Sequence, residues 1–156
     1  MAISTKEELQ FLLHRGIEIE KKFESFSAWK GFVTLDSANR KAVLTLAGDS
    51  HKHRLDLEKM LEILGLEAPT DEIPNVKFDF EGMLDAEILQ KIVEQDKIVA
   101  DLYRELVEQT DPKLVAVLFG EKNVEFYYQT LNRFITDENR HVGMVQVLSG
   151  RITRIL

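Results

Sequence analysis

Glu138 and His141 are spaced i, i+3, which projects a carboxylate and an imidazole from one helix face so that both can converge on a single ion. A second histidine, His53, stands in a similar apolar stretch with Ser50 three residues before it. Glu20 and Asp96 each place one further carboxylate in a stretch that is otherwise apolar. The chemistry this set implies is the holding of a divalent cation by oxygen and nitrogen. Cysteine is absent, which excludes disulfides, zinc ribbons, thiol nucleophiles and cysteine-ligated iron–sulfur clusters.

Helices must present these residues inward. The second segment reads Val43, Leu46, Ser50, His53, Leu57, Met60 and Leu64 at alternating steps of three and four, and the fourth reads Val124, Tyr127, Leu131, Phe134, Glu138, His141, Val145 and Leu148. The third reads Leu89, Ile92, Asp96, Val99, Tyr103 and Leu106; the first reads Leu9, Leu13, Gly16, Glu20, Phe23 and Ser27. A carboxylate or histidine in such a seam is costly unless it is paired, hydrogen-bonded or metal-bound. Five of them at matching depth therefore point to one buried polar layer.

The expected boundaries follow from local chemistry. Thr5-Lys6-Glu7-Glu8 is a capping-box pattern opening a helix to about Gly31. A second helix starts near Asp36 or Ser37 and stops at Gly65, a residue suited to the left-handed position past a helix end. Leu66 to Gly82, with two prolines and no helical period, reads as a long crossover. The third helix runs from about Met83 to Gln109 and is stopped before Pro112. Lys113 to Phe119 reads as a short helix ending at Gly120, and Glu121 to Leu148 as the last long one, with Ser149-Gly150 as its stop. The fold class this predicts is all-α: one antiparallel four-helix bundle over residues 1–156, with a single long crossover between the second and third long helices.

With these motifs in place, the chain resembles the ferritin-like superfamily, and more closely the four-helix domain of rubrerythrins, along nearly its whole length. That superfamily's di-iron site takes one glutamate from each of two helices and a Glu-x-x-His from each of the other two. The resemblance carries the single carboxylates onto Glu20 and Asp96 and one full motif onto Asp137-Glu138-Asn139-Arg140-His141. In the other motif, Gly48-Asp49-Ser50-His51-Lys52-His53, the histidine is in place and serine stands where the carboxylate belongs. The implied metal ligands are Glu20, His53, Asp96, Glu138 and His141, and Asp49 or Glu24 is a candidate to replace the missing acid. The resemblance implies two iron ions, with manganese or zinc as alternatives, and reduction of peroxide or dioxygen. Lacking the cysteine-ligated iron domain usual in rubrerythrins, such an enzyme would need an external electron donor.

Blander readings stand beside these. His53 and His141 could be buried histidines bonded to carboxylates without metal. His14 and His51 fall off the seam and read as solvated. Tyr103 and Tyr127 read as core packing by default, with a role in supporting the ligands or carrying a radical as the alternative, and Trp29 with the phenylalanines as core or a dimer face. In function, a mononuclear metal-binding or iron-storage protein and a metal-free scaffold or interaction module compete with the di-iron enzyme. The net charge of −7 spreads along the helices without a basic stripe, so nucleic acid is not an expected partner. Neither a leader nor a membrane-spanning stretch is evident, and a cytoplasmic homodimer is expected.

Overall fold

A computed structural model describes residues 2–24, 35–69 and 82–155, the side chains of 149–155 excepted. The described residues form five helices: α1 (Lys6–Glu24), α2 (Ser37–Ile63), α3 (Asp85–Gln109), α4 (Pro112–Phe119) and α5 (Glu121–Ile155). The protein is all-α, and no described helix is long and apolar enough to cross a membrane.

Local chemistry sets most helix ends. Thr5 Oγ1 accepts from the Glu8 amide at 3.2 Å and donates to the Glu8 carboxylate at 3.0 Å, so the capping box is closed from the threonine side. Asp36 caps α2 by accepting from the Asn39 amide at 2.9 Å. Asp111 caps α4 through the Lys113 amide, with Pro112 in the first turn, where its missing N–H costs nothing. Gly65, just past the cap residue Leu64 of α2, and Gly120, directly after α4, take positive φ of 72° and 79°. The continuation of α1 to Gly31, together with Ser27 and Trp29, lies outside the described residues, as does most of the connection expected over 66–82. The stop expected at Ser149-Gly150 is overturned, because α5 runs through both residues to Ile155. An isolated glycine costs a helix only about 1 kcal/mol relative to alanine, and no proline follows to end it.

The four long helices contact one another in a closed cycle: α1 with α2, α2 with α5, α5 with α3, and α3 with α1. Each contact is antiparallel. Glu20 and Glu24 of α1 meet His53 and His51 of α2 in reverse order, Asp49 and Asp56 of α2 meet His141 and Arg133 of α5, Arg104 and Thr110 at the end of α3 meet Asn139 and Tyr127 of α5, and Ile3 before α1 meets Gln109 while Glu20 meets Tyr103 of α3. The start of α2 is tied to the start of α3, since Asp85 Oδ2 accepts from both the Asp36 amide and the Asn39 side chain. Gly65 and Gly82, which flank the connection between these helices, therefore sit at opposite ends of α2. The N-terminal residues fasten α3 to the same body: the Ile3 amide donates to Gln109 O at 2.7 Å, its carbonyl accepts from Asp111, and its side chain is buried.

The seam positions lie inside. Every described member of the four stripes is buried except Val124 and Leu148, which are half-buried. The core that surrounds them includes Leu13, Phe23, Leu57, Met60, Leu131 and Phe134.

Candidate metal centre

Glu20 of α1, His53 of α2, Asp96 of α3, and Glu138 and His141 of α5 are all at least 98% buried and meet at one level of the core. They form two triads, Glu20–His53–Glu138 and Asp96–Glu138–His141, each offering ligand atoms within 4.8 Å of one another. Glu138 belongs to both. The five residues singled out by the seam pattern are thus brought together, one triad on each side of a shared carboxylate.

The histidines show how the centre is oriented. His53 Nε2 lies 2.9 Å from Asp137 Oδ2, while its Nδ1 lies 3.1 Å from both Glu20 Oε1 and Glu138 Oε1. His141 repeats the arrangement, with Nε2 at 2.7 Å from Asp49 Oδ2 and Nδ1 at 3.5 Å from Glu138 Oε2. Each ring therefore has its outer nitrogen held by an aspartate of the opposite helix and its inner nitrogen turned to the carboxylates. An aspartate on the outer nitrogen fixes the tautomer and makes the inner nitrogen a better ligand. Arg140 joins the two aspartates, reaching Asp49 at 2.8 Å and Asp137 at 3.5 Å.

The inner oxygens are left over. Glu20 Oε2, both oxygens of Asp96, both of Glu138, Ser50 Oγ and His141 Nδ1 are buried without a hydrogen bond among the described residues. All these orphaned atoms belong to this one layer. Each such atom costs about 1–3 kcal/mol if nothing binds it, so their convergence fits a cation better than a closed hydrogen-bond network. Without ions, protons must do the compensating. Burial and the neighbouring Glu138 push Asp96 up to about 10, and burial also raises Glu20. Burial would depress His53, but the carboxylates of Glu138 and Glu20 beside its Nδ1 outweigh that and lift it to about 10. Glu138 goes down despite burial, because the imidazoles of His141 and His53 stand beside it.

Compared with family models, with curated proteins and with solved structures, the chain matches none. The resemblance to rubrerythrins expected from the sequence accordingly rests on the residue pattern alone.

Three expectations change at this site. Tyr103 is more than core packing: its hydroxyl donates to Glu20 Oε1, and its ring lies 5.1 Å from that of Phe134. Room for it comes from Gly16, where a Cβ would stand 3.4 Å from Tyr103 Cε1 and 3.3 Å from Leu57 Cδ1. Glu24 does not supply the missing acid, since Arg54 and His51 hold its carboxylate away from the centre. Asp49 does not swing in beside His53 either, because it serves His141. Asp49 and Asp137 were not read as supporting residues, yet a signal was there: each immediately precedes the inward residue of its helix, in Asp-Ser-x-x-His and Asp-Glu-x-x-His. Tyr127 is structural, donating to Leu106 O at 2.8 Å. His14 and His51 stay outside the centre, bonded to Glu67 O and Glu24.

Proposed function

We propose that this protein is a ferritin-like four-helix bundle that binds two divalent metal ions at one level of its core, in the manner of rubrerythrins. The observation that carries the reading is the pair of buried triads sharing Glu138, with the unpartnered inner atoms confined to that layer. Glu20 and His53 would hold one ion, Asp96 and His141 the other, and Glu138 would lie between them. Two ferrous ions, when bound, supply the electrons that reduce peroxide or dioxygen.

The chain's own part is to position and to exclude. Asp137 and Asp49 keep the histidine Nδ1 atoms facing inward. Tyr103 holds Glu20 by one oxygen and leaves Oε2 free for a ligand role. Phe134 covers the His53 ring at 4.3 Å between centroids, which keeps water from that side. The O/N donor set accepts iron, manganese or zinc, so availability decides among them. An external electron donor in the cytoplasm would sustain turnover.

Metal analysis of protein prepared without a chelating tag and reconstituted with ferrous iron tests the reading. Two ions per chain are expected. One ion would support the mononuclear alternative favoured by Ser50, and none would overturn metal binding altogether. Oxidation of the iron-loaded protein by stoichiometric peroxide, followed optically, then tests the redox assignment.

A further inference from the structure

The centre has an approximate twofold arrangement that one residue breaks. On α5, Asp137 reaches across to His53, Glu138 points inward and His141 follows at i+3; on α2, Asp49 reaches across to His141, Ser50 is inward and His53 follows at i+3. Glu20 of α1 and Asp96 of α3 complete the two sides. The counterpart of the Glu138 carboxylate is therefore missing at Ser50, which is 1% exposed and whose hydroxyl has no hydrogen-bond partner among the described residues.

We propose that the position opposite Glu138 takes up a small carboxylate anion from solution, of formate size, with Ser50 Oγ as its hydrogen-bond donor. Size, charge and hydrogen bonding agree on this ligand. A glutamate side chain exceeds a serine by the heavy-atom content of one formate. Two divalent ions facing the carboxylates of Glu20, Asp96 and Glu138 leave one positive charge uncompensated in a dry layer, where such an excess is costly, and a monoanion cancels it. The orphaned serine hydroxyl gains a charged acceptor, the stronger class of hydrogen bond. Residues that fill the position from within are not at hand, since Asp49 and Glu24 are engaged elsewhere.

The proposal rests on the two-ion reading, and cobalt separates the two claims. The full chain is loaded with cobalt(II), its metal content is measured, and its visible absorption is titrated with sodium formate against sodium chloride at equal ionic strength. The expected result is two cobalt ions per chain and a saturable spectral change with formate alone. Formate should also slow cobalt extraction by a chelator severalfold, and benzoate, far larger than the three heavy atoms by which glutamate exceeds serine, should do neither. Ser50→Glu should bind two cobalt ions and lose the formate response, because its own carboxylate fills the position. If two ions bind and formate changes neither spectrum nor extraction rate, the anion site is wrong while the metal centre stands. A formate response that survives in Ser50→Glu also overturns it. Failure to bind cobalt at all refutes the metal reading instead. The wild-type titration and the extraction rate decide the matter even if Ser50→Glu does not fold.

Discussion

Glu138 is the residue on which both triads depend, so its loss should differ in kind from the loss of any other ligand. Glu138→Gln keeps the shape and removes the shared charge; metal analysis should find both ions lost, whereas Asp96→Asn should lose one and leave the Glu20–His53 side occupied. Equal losses in the two variants would rule out a shared carboxylate. The outer aspartates give a finer test. Asp137→Ala frees His53 Nε2 and Asp49→Ala frees His141 Nε2, and removal of such a partner lowers metal affinity by about 10–100-fold. Competition titrations should show each variant weakening a different ion. The five buried polar residues themselves were legible because a charged residue in an apolar seam violates the pattern that surrounds it. Asp49 and Asp137 were not, because a half-exposed acid beside a buried residue satisfies the ordinary surface rule. Tyr103 was legible only as the lesser of two readings: a tyrosine fits an apolar seam by its ring, and the path of its hydroxyl to Glu20 decides for the second role.

Among the elements, α1 approaches α2 and α3 closely at Gly16, where a Cβ would press on Leu57 and Tyr103 at 3.3 and 3.4 Å. Gly16→Val should overpack this contact and lower stability by about 1–3 kcal/mol, measured by urea unfolding of the metal-free protein. Its damage should reach the site as well, because pushing Tyr103 aside releases Glu20, and weaker binding of the ion on that side would report it. An unchanged unfolding midpoint would mean that Leu57 and Tyr103 can yield without cost. Helix identity was legible over all five elements, since the period of three and four is long and the capping residues are strong. Boundaries were less so. Ser149 and Gly150 read as a stop, yet neither forbids a helical backbone, and α5 passes through them. The pairing of Ile3 with Gln109 and Asp111 was also invisible, because it joins main-chain groups remote in sequence and leaves no side-chain pattern.

For the whole molecule, the buried layer couples stability to protons and, on the proposed reading, to metal. The folded-state pKa of Asp96 rises from 3.8 to about 10 and that of His53 from 6.5 to about 10; Glu20 and His141 shift upward too. Groups with raised pKa bind more protons in the folded chain than in the unfolded one, so their contribution is complete at low pH and is lost as pH rises through the folded value. Glu138 has the opposite sign, but its depressed pKa acts below 4.5. The metal-free protein should therefore lose stability from about pH 4, where Asp96 begins to contribute, and more steeply between about 6.5 and 10, where His53 joins it, read as a falling urea midpoint at successive pH values. Ions that bind the same atoms replace those protons, so the loaded protein should hold a flatter profile, and calorimetry in buffers of different ionisation heat should detect protons released on binding. At a free metal concentration a hundredfold above its dissociation constant, one ion that binds only the folded chain adds about 2.7 kcal/mol. For a domain of this size each kcal/mol raises Tm by about 2–4 °C, so one ion is worth about 5–11 °C and two add further. A Tm that ignores ferrous, manganous and zinc ions alike would show that protons, rather than metal, are what the layer is built to hold.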